Sequence, residues 1–188
     1  DGLCAALEGA GFSVHSLPLL QLLPLAELDP LQRRRVLDLD HFSHIIFVSG
    51  NAVRLGMAWI ESCWPQLPLG LHWYAVGEAT ARELSAHGVR VLTPASEMTS
   101  EGLLALPQLQ AVAGQRVLIV KGEGGRATLA ESLGRRGARV EELACYRRIP
   151  PDLASGELAQ KLSQWDIGVV LISSGEGLAN LLALLSPA

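Results

Sequence analysis

Short runs of Val, Ile and Leu alternate along this chain with amphipathic helical stretches, and a Gly-bearing turn follows many of the runs. A strand that is apolar at consecutive positions has no face to give to water. It must be covered on both sides, which is the condition of a parallel sheet between helical layers. The pattern predicts strands over residues 12–17, 45–48, 73–76, 89–92, 116–120, 140–145 and 167–172. Helices are predicted over 31–37, 52–62, 79–86, 127–135, 153–162 and 178–185, with a further one that Thr99 or Ser100 caps and that runs to Leu106. Gly88 and Gly137 stand where helices close. The expected class is α/β, with parallel, doubly wound sheets.

Two proline-marked segments, residues 18–24 and 146–151, read as stiff extended stretches. If both cross between the same two lobes, the middle of the chain is a domain inserted into the other. The length of 188 residues suits one large domain or two small ones.

Composition narrows the function classes. Hydrophobic residues make up 49% and charged residues 18%, which supports a core and excludes a disordered chain. The net charge of −4 argues against a dedicated nucleic-acid binder. Cys4, Cys63 and Cys145 are odd in number and widely spaced, so neither a disulfide framework nor a zinc site is expected and a reducing cytoplasm is the natural setting. His15, His41, His44, His72 and His87 are scattered and form no ligand pattern. Apolar stretches are broken before they reach the length of a membrane span, and no signal peptide is visible. The chain opens at Asp1 in a helix-like stretch and stops after another helix, so both ends read as cut.

In open parallel sheets, ligands bind beyond the carboxyl ends of the strands. The sequences there are Ser49-Gly50-Asn51-Ala52, Gly77-Glu78-Ala79-Thr80, Lys121-Gly122-Glu123-Gly124-Gly125-Arg126 and Ser173-Ser174-Gly175-Glu176. Each leads into a helix, whose free N–H groups attract anions. Taken singly each is also a good turn and cap; together they point to an anion-binding cleft. The run after Lys121 lacks P-loop spacing. It fits a relaxed dinucleotide motif ending in Ala127, but the companion acids Glu141 and Glu142 open the next strand instead of closing it. From Arg116 to Arg148 there are eight basic and four acidic residues, a local +4 that offers Lys121, Arg126 and Arg147 to an anion. No nucleophile elbow or Ser/His/Asp order exists, so covalent catalysis is disfavoured. Cys145 reads as a buried core residue, and Tyr146 as either a packed aromatic or a site group at the lobe junction.

The motifs in order are Phe47-Val48-Ser49-Gly50-Asn51-Ala52-Val53, Ala75-Val76-Gly77-Glu78-Ala79-Thr80-Ala81 and Thr99-Ser100-Glu101-Gly102-Leu103-Leu104. Then come Val117 through Arg126, Leu133, Gly137-Ala138, Val140, Tyr146-Arg147-Arg148, Pro150 and Ser173-Ser174-Gly175. Their order and spacing resemble the uroporphyrinogen-III synthase family of tetrapyrrole biosynthesis. The resemblance implies two α/β lobes joined by a two-stranded connector, with the active site in the cleft between them. Residues 26–145 would form the inserted lobe; residues 1–25 and 146–188 would belong to the discontinuous one, whose family members run longer at both ends. The implied reaction closes hydroxymethylbilane, a linear tetrapyrrole, with loss of water and inversion of ring D. Tyr146 matches the family tyrosine that assists the leaving group, and Thr80 matches a cleft threonine. Ser49, Gly50, Asn51, Gly77, Lys121, Gly122, Gly124, Arg126, Ser173, Ser174 and Gly175 fall on substrate-facing turns. The resemblance implies no metal and no organic cofactor. Neither a nucleic acid nor a membrane is expected as partner, and the expected state is a monomer. The other reading of the same turns is a non-catalytic module that binds a small anion or a nucleotide. A degenerate family member kept as an interaction domain is a further one.

Overall fold

A computed structural model describes residues 2–94, 97–153 and 156–185. In chain order the elements are α1 (Gly2–Gly9), β1 (Gln21–Pro24), α2 (Pro30–Leu37), β2 (His44–Phe47), α3 (Gly50–Cys63), β3 (His72–Ala75), α4 (Glu78–Ser85) and β4 (Val91–Leu92). They continue with α5 (Ser100–Leu104), β5 (Arg116–Gly122), α6 (Thr128–Arg135), β6 (Arg139–Ile149), α7 (Glu157–Gln164) and α8 (Gly175–Leu185). The protein is a mixed α/β chain with a six-stranded sheet in the order β1-β6-β5-β2-β3-β4. The chain divides into two compact units, one from Leu23 to Arg147, the other holding the residues up to Leu22 and from Arg148 onward.

In the unit of residues 23–147 the pleat explains the apolar runs. All of β2 is buried. Ile45 and Phe47 point into one cluster, with Val36 of α2, Val53, Met57 and Ile60 of α3, and Leu84 of α4. Ile46 points the other way, into a second cluster with Leu103 and Leu104 of α5 and Leu129 and Leu133 of α6. Each such side chain taken fully out of water contributes roughly 1.5–3 kcal/mol. Strands β6, β5, β2, β3 and β4 run parallel, with Phe47 level with Ala75 on one side and Val120 on the other. That register lines up the carboxyl ends of β3, β2 and β5.

Helix starts follow the local chemistry. Asp29 caps α2 ahead of Pro30, Ser49 caps α3 and Thr99 caps α5, each side-chain oxygen accepting an N–H of the first turn. Gly88 and Gly137 close α4 and α6 with φ of +80° and +82°.

The other unit departs from the sequence reading. Residues 12–17 and 167–172 are predicted strands, yet neither is a strand in the structure. Val169, Val170 and Leu171 are 75%, 57% and 65% exposed, and Phe12 is 62% exposed. An extended run becomes a strand only when a neighbouring strand satisfies its main chain; among the described residues neither run pairs with one. The predicted helix over 153–162 starts at Glu157, after Gly156 at φ +81°, and the intervening 154–155 lie outside the described residues. Strand β4 has two residues where four were expected. Contacts distant in the chain join the segments of this unit. Asn180 Nδ2 donates to Leu19 O at 2.8 Å, His15 stacks on Trp165 at 4.6 Å, and Arg148 meets Glu176 at 3.5 Å.

Candidate active site

The parallel register determines which turns meet. Strands β3, β2, β5 and β6 are neighbours; the carboxyl ends of the first three carry Gly77 and Thr80, then Ser49, Gly50 and Asn51, then Lys121, Gly122, Gly124 and Arg126, and β6, which runs on to Ile149, brings Tyr146 level with Gly122. These residues share one edge of the sheet. Ser173, Ser174 and Gly175 belong to the other unit. There Ser174 Oγ accepts the Gly177 N–H at 3.0 Å and caps α8.

Ser49 joins two functions at this edge. Its Oγ accepts the Ala52 N–H at 3.2 Å, and it lies 3.2 Å from the Tyr146 hydroxyl. Tyr146 is 3% exposed, its ring packed across Gly122. Its main-chain oxygen accepts the Glu123 N–H at 2.7 Å. Next door, α4 starts at Gly77 with no side-chain cap, so the N–H groups of its first turn are left for another acceptor. Thr80 is 7% exposed within that turn.

The cations are less free than the sequence implies. Lys121 Nζ donates to Glu142 Oε1 at 3.1 Å, with its side chain 12% exposed. Arg147 lies 3.7 Å from Glu123. Arg126 is exposed and has no ion pair among the described residues. Asn51 Oδ1 accepts from Arg54. Apart from the Glu83 carboxylate, which lies against Gly50, the edge therefore offers main-chain N–H groups, hydroxyls and one open guanidinium. Such a set suits a large anion held by many weak donors.

Cys145 is fully buried, with Sγ donating to Lys121 O at 3.2 Å. Burial pushes its thiol up to about 12, so it stays protonated and serves packing. The acids weighed as ribose ligands are both engaged. Glu141 binds Arg116 at 2.8 Å and Arg35 at 3.1 Å, while Glu142 holds Lys121. Sequence reasoning missed Glu83, whose carboxylate lies against Gly50. The available signal was spacing: Glu83 stands three residues after Thr80, on the same face of α4.

Fold and edge define the class: an open, parallel α/β protein with a glycine-lined carboxyl edge and a tyrosine held in it. The family model of uroporphyrinogen-III synthase HemD matches residues 1–188. The uroporphyrinogen-III synthase of Salmonella typhimurium is 31% identical over 185 residues, covering 98% of this chain and 75% of the relative. That of Proteus mirabilis is 35% identical over 167 residues, covering 86% and 81%. The fold is also that of a mutant uroporphyrinogen III synthase from the extremely thermophilic bacterium Thermus thermophilus, at TM-score 0.58 and 22% identity. That match covers 80% of this chain and 59% of the solved one. The chain belongs to the uroporphyrinogen-III synthase family, and with it to tetrapyrrole and haem biosynthesis.

Proposed function

We propose that the protein carrying this chain is a lyase that converts hydroxymethylbilane to the type III cyclic tetrapyrrole, with loss of water and inversion of ring D. Family membership supports the reaction, and the observation that carries its chemistry is the Tyr146 hydroxyl held 3.2 Å from Ser49 Oγ at a glycine-lined strand edge.

The reaction asks little of side-chain reactivity. Departure of the hydroxyl leaves a resonance-stabilised cation on the chain of pyrroles. The terminal ring attacks through its substituted carbon to give a spiro intermediate, which fragments and recloses inverted. Without an enzyme the chain closes without inversion. The protein must hold the substrate folded, help the oxygen leave and keep ring D in the attacking geometry. In our reading Tyr146 donates a hydrogen bond to the departing oxygen. A phenol is a weak acid at neutral pH, so the bond and not full proton transfer is its contribution. Ser49 accepts from or donates to the same hydroxyl and keeps it aimed.

Gly50, Asn51, Gly77, Thr80, Gly122, Gly124 and Arg126 form the bed for the carboxylates, chiefly through main-chain N–H groups. Lys121 joins them when Glu142 releases it. Ser173, Ser174 and Gly175 are proposed substrate contacts on the resemblance alone. We also read the two units as the two lobes of the family, with β1 and β6 as their connector.

Isomer-resolved analysis of the product formed by the full-length protein tests this. The type III isomer is expected; the type I isomer alone, beside an active control enzyme, would reject it.

A further inference from the structure

We infer that Gly122 is a positioning residue that sets where the Tyr146 hydroxyl stands, an inference that rests on the role given to Tyr146 above. The origin is a break in register. Strands β5 and β6 pair one to one from Arg116 and Arg139 up to Lys121 and Ala144; the next pair is Gly122 with Tyr146, and Cys145 is skipped. An extra residue in one strand turns the following side chains to a new direction. Here it sends the Cys145 thiol into the core, against Lys121 O, and swings the Tyr146 ring over Gly122.

Gly122 accommodates that ring only because it has no side chain. A Cβ built there would clash with the ring, lying against Cε2, 2.7 Å from Cζ and 2.9 Å from Cδ2. Gly122 lies in β5 and does not have the positive φ that would itself call for glycine. Space, not backbone conformation, is what the residue supplies. The ring passes over this gap to bring its hydroxyl to Ser49, whose position is fixed in turn by capping α3. The place of the hydroxyl is thus set by the bulge at Cys145, the missing Cβ at Gly122 and the capped start of α3.

A methyl group at 122 must push the buried ring aside. A displacement near 1 Å at a reacting group costs about 10²-fold in rate. The test is a double-mutant cycle on the full-length protein with two readouts. In kinetics, Gly122→Ala lowers kcat about 10²-fold and leaves KM within a few-fold. In a Tyr146→Phe background the same change alters kcat less than about threefold, because the hydroxyl it displaces is already gone. In thermal melting, Gly122→Ala lowers Tm by roughly 3–10 °C in the wild type, and by much less in a Tyr146→Leu background where the ring it strikes is gone.

Equal kcat losses in both backgrounds would overturn the inference, since Gly122 would then act without Tyr146. So would an unchanged kcat for Gly122→Ala, or a Tm loss from Gly122→Ala as large in the Tyr146→Leu background as in the wild type. A wild-type protein that makes no type III isomer rejects the proposed reaction instead; the melting cycle then decides the contact by itself.

Discussion

The two ends of the same parallel sheet are built to opposite plans. At the amino end, polar groups are bonded to one another. His44, 3% exposed, has Tyr74 Oη at 2.9 Å from Nδ1 and Gln115 Oε1 on Nε2. Glu141 takes both Arg35 and Arg116, and the Arg116 guanidinium lies 4.3 Å over the Phe42 ring. At the carboxyl end the chain leaves donors open. Gly77 starts a helix without a side-chain cap and Arg126 stands unpaired among the described residues, while Lys121 is held by Glu142 and the Tyr146 hydroxyl by Ser49. Satisfied groups stabilise and unsatisfied ones bind. The two ends therefore separate stability from activity, and substitutions at either end test that division.

The largest effect is expected from Tyr146→Phe. It lowers kcat about 10²-fold with a smaller change in KM, and the ring that remains keeps Tm close to wild type. A variant that binds poorly but turns over normally would remove Tyr146 from the chemistry. At the amino end the order reverses. Glu141→Ala leaves two guanidinium groups without their shared carboxylate. Buried pairs broken on one side lose about 3–5 kcal/mol, and since these side chains are 19–26% exposed, the loss here is about 1–3 kcal/mol. Calorimetry should show a Tm lower by several degrees, with kcat unchanged.

Acid provides a gentler probe of the same end. Burial holds the His44 imidazole below its ordinary value, reinforced by nearby His72 and opposed by the Gln115 hydrogen bond. The unfolded chain then binds a proton before the folded one does. Stability is complete above about pH 6.5 and falls as pH drops from there toward the folded value. Melting across about pH 5–8 should show this acid-side loss, and His44→Gln should reduce it. Smallest of all is Arg126→Ala at the carboxyl edge. An exposed charge contributes up to about 1 kcal/mol, so KM rises by no more than about fivefold while Tm stays put.

Much of unit 23–147 was legible in the sequence because its strands are buried on both faces. Ile45, Ile46 and Phe47 had to lie between two helical layers, and the Gly turns that follow such strands fall on one edge by topology. What was not legible depends on partners distant in the chain. The runs at 12–17 and 167–172 have strand-like composition, but composition does not supply a neighbour. The pairing of Lys121 with Glu142, and of Glu141 with Arg116, follows from the register of β5 against β6, while Arg35 reaches Glu141 from α2. The bulge at Cys145, which aims Tyr146, has no signature in the residue pattern; Gly122 reads there as one more turn glycine.

In the proposed enzyme the carboxyl edge, through its main-chain N–H groups, receives the linear tetrapyrrole. Amide hydrogen exchange of the full-length protein, with and without that ligand, measures this directly. Slowed exchange is expected at Ser49–Ala52, Gly77–Thr80 and Gly122–Arg126, with little change at His44, Gln115 and Arg116. Slowing confined to the amino end, or none at the three glycine turns in the presence of bound ligand, would contradict it.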